Sequence, residues 1–327
     1  MANLETKYLG LTLKNPIVVS SSGLTNSVER IGKLVEAGAG AVVLKSLFEE
    51  QINVEINRSI NSGEGFDYPE AVDYIKEYTK ENNVNEYLSL IRDAKAAYDI
   101  PVIASINCFS TGSWVEFAKK IEDAGADALE LNVYVLNTDK NSKAEDYEEI
   151  YYGVLSQVRK EVNIPVVMKL GMYFSNLVRV VDMLSAYGAS GVVLFNRFFE
   201  PDIDIRTLTV KPAEVFSNRS DLRRTLRWVA IISDKVNIDV SASTGIHTGE
   251  DIIKVLLAGA STAQVCSAIY KYGPEEITKM LNFIESWMEE KGYETIDEFK
   301  GAMTYGKIEN PAVWERSQFM KYFSSLE

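Results

Sequence analysis

Apolar residues in this chain come in short, nearly unbroken runs separated by longer stretches with helical spacing, and the runs alternate between two forms. In the first form Gly-Ala ends a helical stretch and an apolar run follows. It occurs at Gly38-Ala39 before Ala41–Ser46, Gly125-Ala126 before Ala128–Tyr134, Gly188-Ala189 before Gly191–Arg197, and Gly259-Ala260 before Thr262–Ala268. Each glycine sits where a helix C-terminus calls for a left-handed residue. In the second form Ile and then Pro or Asp precede a Val-rich run: Ile100-Pro101 before Val102–Asn107, Ile164-Pro165 before Val166–Gly171, Ile238-Asp239 before Val240–Thr244. With Asn15-Pro16 before Ile17–Ser20 there are eight runs of strand length. They are β-branched and almost continuous, as parallel strands buried on both faces are.

The stretches between them carry the helical spacing: Val28–Ala37, Tyr87–Tyr98, Val115–Ala124, Glu148–Val162, Leu177–Tyr187, Arg223–Asp234, Asp251–Ala258 and Glu275–Lys291. Eight strands each followed by a helix predict an α/β fold, a (β/α)8 or TIM barrel, as one domain over residues 1–327. A doubly wound open sheet is the alternative, but no Gly-x-Gly-x-x-Gly turn follows the first strand. Leu4–Tyr8 and Leu11–Leu13, around Gly10, read as a hairpin capping the barrel's bottom. Phe48–Asn85 after strand 2 and Phe198–Ser217 after strand 6 read as long loops covering the mouth. The aromatic-rich extension 302–327 is expected to pack on this barrel or on a second subunit.

Composition narrows the chemistry. The net charge of −13 argues against a nucleic-acid partner, since polyanions are gripped by clustered Lys and Arg. A single histidine, His247, and two cysteines, Cys108 and Cys266, leave no set for a zinc ribbon or an iron–sulfur cluster, so no metal is expected. Both cysteines lie in apolar runs and read as buried thiols rather than a disulfide. No apolar run reaches the roughly 20 residues of a membrane helix. Met1–Glu5 lacks the basic start and apolar stretch of a signal peptide, so the expectation is a cytoplasmic protein with no membrane partner.

Barrel active sites gather at the C-terminal ends of the strands. The polar residues there are Ser20–Ser22, Lys45-Ser46, Ser105 and Asn107, Asn132, Lys169, Asn196, Ser243-Thr244 and Ser267. One lysine at a strand end reads as readily as a solvated rim residue, and one asparagine as a loop-backbone partner. Two lysines and three asparagines converging on one mouth favour a site. Asparagines offer donor and acceptor together and suit the edge of a flat polar heterocycle. Lysines suit an anionic ligand or a Schiff base. No carboxylate stands at these ends, apart from Glu130 within strand 4, which argues against paired-carboxylate glycoside hydrolysis. The small residues Ser243-Thr244-Gly245 and Cys266-Ser267 follow strands 7 and 8, where barrels most often hold phosphate.

The ordered set Leu13-Lys14-Asn15-Pro16, Lys45-Ser46, Leu129-Glu130-Leu131-Asn132, Met168-Lys169-Leu170, Lys211-Pro212 and Thr244-Gly245-Ile246 resembles the FMN barrels of the dihydroorotate dehydrogenase family. The resemblance runs from about Leu4 to Gly301, and Lys291–Gly301 resembles the C-terminal segment of its soluble, homodimeric, fumarate-using class. It implies noncovalent FMN, a pyrimidine-like anionic substrate oxidised from dihydroorotate to orotate, and a homodimer. It implies that Lys45 and Lys169 contact the flavin and the substrate side, and that Asn61, Asn132, Asn137 and Asn196 hold the pyrimidine. Ser243, Thr244, Gly245, Cys266 and Ser267 would hold the FMN phosphate, and Ser21, Ser22 and Gly23 would pass close to its ring.

The chain departs from the family pattern in one place that matters for chemistry. The family's Cys or Ser base stands two residues before the second asparagine; in Asn132-Val133-Tyr134-Val135-Leu136-Asn137 that position is Val135, which accepts no proton. Ala242 and Thr244 stand where glycines are common, and Arg197 replaces a small polar residue. Three readings follow: Tyr134 as the base, a related substrate with another acid–base partner, or a flavin and anion binder without turnover. A Schiff-base aldolase using Lys169 is the reading from another enzyme class; it requires no bound flavin.

Overall fold

The computed structural model describes residues 2–62, 69–108, 111–197 and 200–315, without the side chains of 56–62, 69–78 and 111. Its core is a closed barrel of eight parallel strands, in chain order β3 (Ile17–Val19), β4 (Ala41–Val43), β6 (Val102–Asn107), β7 (Ala128–Asn132), β8 (Val166–Leu170), β9 (Gly191–Leu194), β12 (Asp239–Ser243) and β13 (Thr262–Val265). Closure is made by β13 on β3, in register Ala263 to Ile17, and by β4 on β6, in register Val42 to Val102. The glycines of the Gly-Ala repeats, Gly38, Gly125, Gly188 and Gly259, all have φ between 92° and 105°, as a left-handed helix end demands.

Strand alternation sorts the side chains into two cores. Val19, Val42, Val102, Leu129, Val166 and Val192 face outward to the helices. Val18, Val43, Ile103, Ala128, Val167 and Val193 face into the barrel. The hairpin β1 (Thr6–Tyr8) and β2 (Leu11–Leu13) turns at Leu9 and Gly10, both with positive φ, and inserts Tyr8, Leu9 and Leu13 beneath that inner layer. The lower barrel is therefore plugged mainly with apolar side chains, with Ser241 and Thr262 bonded to each other among them, and the inward charged groups stand in its upper half.

The stretch after strand 2, expected as a loop, is largely helical: a two-residue strand β5 (Leu47–Phe48) on β6 leads into α2 (Glu49–Ser62) and α3 (Pro69–Ala97). Its Glu and Lys content offers helix formers, and over α3 the apolar positions form no stripe, so spacing alone marked only its last part. The stretch after strand 6 forms an exposed antiparallel hairpin, β10 (Pro201–Asp204) and β11 (Thr209–Pro212). Around the barrel run α1 (Val28–Glu36), α4 (Thr111–Asp123), α5 (Ala144–Glu161), α6 (Leu177–Ala186), α7 (Leu222–Lys235), α8 (Gly249–Leu257), the short α9 (Ser267–Tyr272) and α10 (Glu275–Lys291). The described part of the C-terminal extension, ending in α11 (Ala312–Glu315), packs on its own barrel: Tyr305 N–H donates to Ala230 O at 3.0 Å, and Trp314 packs against the core. No described helix is long and apolar enough to cross a membrane.

Candidate active site

Two residues beyond the inner apolar layer the side chains point inward again, and there the sequence turns polar. Strand 1 brings Ser20, strand 4 Glu130, strand 5 Lys169 and strand 8 Gln264. All four are buried, and Glu130 has no exposed surface. The Lys169 ammonium donates to Glu130 Oε1 at 3.2 Å, Gln264 Oε1 at 3.2 Å and Ser20 Oγ at 3.3 Å. Gln264 Nε2 donates to Glu130 Oε2 at 2.9 Å, and Ser20 Oγ donates to Gln264 Oε1 at 3.0 Å. An ammonium carries three donors, and three acceptors surround this one. A buried charge persists only when paired and hydrogen-bonded, and this network meets both conditions. Sequence reading had Lys169 at a strand end and Glu130 as an isolated carboxylate, and missed Gln264. Strand parity was the available signal, since Glu130, Lys169 and Gln264 share their inward face with Ala128, Val167 and Thr262.

Above this network lies a cavity of about 370 Å³, within the usual range for small-molecule and cofactor sites. Ser20, Ser21, Lys169 and Gln264 reach it from below, and Ser243, Thr244, Gly245, Cys266 and Ser267 line one wall. The turn after strand 7 is held in an unusual backbone state. Thr244 has φ 78° and Gly245 φ 82°, and a β-branched residue in that region is a strained outlier. Thr244 Oγ1 donates to Phe195 O at 3.0 Å, which ties the turn to strand 6. Glycine is required next to it: a Cβ on Gly245 would lie 2.2 Å from Leu222 N. Behind the wall, Ser217 links the turns after strands 7 and 8. Its N–H donates to Ser267 Oγ at 3.0 Å, its hydroxyl bonds His247 Nε2 at 3.0 Å, and its carbonyl accepts from Lys271 at 3.0 Å. Burial and the nearby Lys271 charge hold His247 below its usual range, so it stands there as a neutral ring. Burial also raises the Cys266 thiol, which leaves it protonated at neutral pH.

The remaining expected residues divide. Asn196 Nδ2 donates to Asn132 Oδ1 at 2.6 Å, so strands 4 and 6 present a joined amide pair at the mouth. Ser46 connects Ser21 Oγ at 3.0 Å to Ser105 Oγ at 2.7 Å, a hydroxyl chain across strands 1 to 3. Lys45 is half-buried and makes no hydrogen bond or ion pair among the described residues. Ser22 caps a short turn by accepting from Leu24 N–H at 3.2 Å, and Gly23 leaves room for Tyr270, whose hydroxyl would lie 2.8 Å from a Cβ there. Asn137 is exposed; its side chain accepts from Asp139 N–H and Ser142 Oγ, holding its own loop. Tyr134 is exposed and Val135 half-buried in the same loop. The side chain of Asn61 lies outside the described residues. Tyr134 and Asn196 also line a second cavity of about 200 Å³, which adjoins the first through Asn196, Arg197 and Thr244. Among the described residues no group of three or more His, Cys, Asp or Glu is placed to hold a metal ion.

The arrangement fits an FMN-sized group: a hydroxyl-rich turn on one wall for an anion, a buried ammonium below, and amides for a ring edge. Comparison with known proteins gives the family. The dihydroorotate dehydrogenase family pattern matches residues 3–288. A dihydroorotate dehydrogenase B (NAD(+)), catalytic subunit, of Thermoplasma volcanium is 26% identical over 313 residues, covering 92% of this chain and 98% of that protein. The protein of the same name from Pyrococcus abyssi is 28% identical over 315 residues, covering 91% and 98%. An NAD-dependent dihydropyrimidine dehydrogenase subunit PreA of Escherichia coli (strain K12) is 24% identical over 317 residues, covering 91% of this chain and 76% of that protein. All three names carry NAD, whereas Lys291–Gly301 had pointed to the fumarate-using class. In this fold that segment has a packing role, with Ile296 and Phe299 fully buried and Trp287 edge-on to Phe299. With the pattern matching most of its length, this chain belongs to the dihydroorotate dehydrogenase family.

Proposed function

We propose that the chain is an FMN-dependent oxidoreductase acting on the CH–CH bond of a flat, anionic cyclic amide, with dihydroorotate or a close relative as substrate. The observation that carries this reading is the fully paired Lys169 ammonium at the floor of a 370 Å³ cavity whose wall is the Ser243–Gly245 turn. Ser243, Thr244 and Gly245 with Cys266 and Ser267 would hold the phosphate, and Lys169 and Lys45 would face the ring. FMN, when bound, supplies a two-electron acceptor. Lys169 is then placed to stabilise negative charge that develops over the ring, in a site where water is scarce. The joined amides of Asn132 and Asn196 offer donors and acceptors to a substrate ring edge. Glu130 and Gln264 act on Lys169 rather than on substrate: they fix where its charge sits.

Proton removal is the step in which this chain differs from its family. Val135 supplies no acceptor, and Tyr134, one residue earlier, brings a phenol to the mouth. Loss of a general base costs about 10²–10⁴-fold. We therefore expect slow oxidation of dihydroorotate, or a substrate whose proton leaves by another route. The relatives' names favour a nicotinamide-linked acceptor, and the C-terminal segment favours fumarate and a homodimer; a cytoplasmic location accords with either. The test is anaerobic stopped-flow mixing of the FMN-loaded protein with dihydroorotate, dihydrouracil or NADH, followed by reoxidation with fumarate or NAD. Bleaching of the flavin by one of the dihydropyrimidines supports the reading. A flavin reduced by none of the three, in a protein that also fails to bind orotate, contradicts it. Borohydride trapping of a carbonyl compound on Lys169 in a colourless protein would favour the aldolase instead.

A further inference from the structure

Arg197, Thr244 and the two neighbours of Val135, though not Val135 itself, meet in one place. Tyr134 and Leu136 come from the loop after strand 4, where the family keeps its base, and Arg197 replaces a small polar residue after strand 6. All three line the second cavity, of about 200 Å³, together with Met172 and Tyr173 from the loop after strand 5. Tyr134 is 40% exposed, Leu136 56% and Tyr173 62%. These exposed apolar side chains form one side of the concavity.

The polar groups of this cavity are unequal. Arg197 is already committed: its guanidinium bonds Asp221 at 3.1 Å, the Glu214 carbonyl at 2.7 Å and, more loosely, Glu200 at 3.5 Å. Those two carboxylates, which also line the cavity, are thereby occupied. Arg224, in the first turn of α7, lines the same cavity and makes no ion pair with any described residue. It is the cation left to meet a ligand.

We infer that this cavity is a substrate subsite that takes an apolar, planar arm ending in an acid, the arm lying among Tyr134, Leu136, Met172 and Tyr173 and the acid on Arg224. The cavity adjoins the larger one through Asn196 and Thr244, so the arm extends from the ring held at Asn132 and Asn196; in this the inference rests on the proposed flavin site. On this account replacement of the base is part of a rebuilt loop that admits a substrate larger than a bare pyrimidine acid.

The experiment is calorimetric titration of the FMN-loaded protein with 3-phenylpropionate and with its uncharged amide, in wild type, Arg224→Gln and Leu136→Glu. Bound FMN is quantified in every sample. The acid is expected to bind wild type about three- to tenfold more tightly than the amide, the range a partly solvated charge-assisted contact gives. Arg224→Gln should remove that preference and leave the amide unchanged, and Leu136→Glu should weaken both. A flavin-loaded wild type that binds neither compound, or an acid preference that survives Arg224→Gln, overturns the subsite. A protein that takes up no FMN yet binds the acid through Arg224 overturns the flavin reading and sustains the subsite.

Discussion

Replacing Glu130 by Gln is expected to destabilise the protein by about 3–5 kcal/mol, although one oxygen becomes a nitrogen and nothing else changes. Glu130 has no exposed surface and Lys169 is 4% exposed, so water cannot compensate either charge. Their 3.2 Å separation corresponds to a gross attraction of about 5 kcal/mol at an effective dielectric near 20. The amide also fails geometrically. Glu130 accepts from Lys169 with one oxygen and from Gln264 with the other, whereas an amide in its place offers a single acceptor oxygen. One of its neighbours is then left donor against donor. An unfolding entropy of about 2.1 cal/mol/K per residue over 327 residues is about 0.7 kcal/mol/K, so the melting temperature should fall by about 4–7 °C. Combining Glu130→Gln with Lys169→Met removes both charges and should cost less than Glu130→Gln alone, as a negative coupling in a double-mutant cycle. Calorimetry of the flavin-free proteins reads this without any contribution from ligand. A Glu130→Gln protein melting within about 1 °C of wild type would refute the buried, load-sharing network.

Gly245→Ala should cost more than about 2 kcal/mol, since φ 82° alone is unfavourable for alanine by about 1–2 kcal/mol and the new Cβ meets the Leu222 backbone; an unchanged urea midpoint would show the turn to be placed wrongly. His247 is held below its usual value of 6.5, so the unfolded chain binds a proton that the native state refuses. Its contribution is complete above pH 6.5 and is lost as pH falls from there toward its folded value. His247→Gln should flatten that part of a stability-versus-pH curve, and an identical curve would remove the assignment. Val135→Cys should speed flavin reduction by dihydroorotate by about 10²-fold or more if a proton acceptor is all that is missing; no gain, with orotate binding intact, would place the deficit elsewhere.

How much of this was legible in the sequence depended on which residues meet through local rules. The barrel was, because strands buried on both faces must be continuous apolar runs and helix ends need left-handed glycines. The meeting of Ser243–Gly245 and Cys266–Ser267 on one wall of the cavity was, because they follow adjacent strands. The Lys169 network was half legible: Lys169 stood out, while Glu130 and Gln264 emerge only once strand parity places them on the inner face. Helices α2 and α3 were obscured by their polar composition. The second cavity was not legible at all, because Tyr134, Met172, Arg197 and Arg224 come from four different loops and helices whose approach no periodicity records. Asn137 shows the converse limit: its spacing matches a substrate contact, yet its amide closes its own loop.

The central claim is that the cavity above Lys169 binds FMN, and the most direct measurement is the flavin content of the purified chain. Heat denaturation of a known amount of protein, followed by absorbance of the supernatant, should release one FMN per chain, and the flavin-free protein should recover one equivalent on reconstitution. Lys169→Ala should lower that affinity. A colourless wild-type protein that takes up no FMN on reconstitution would contradict the account.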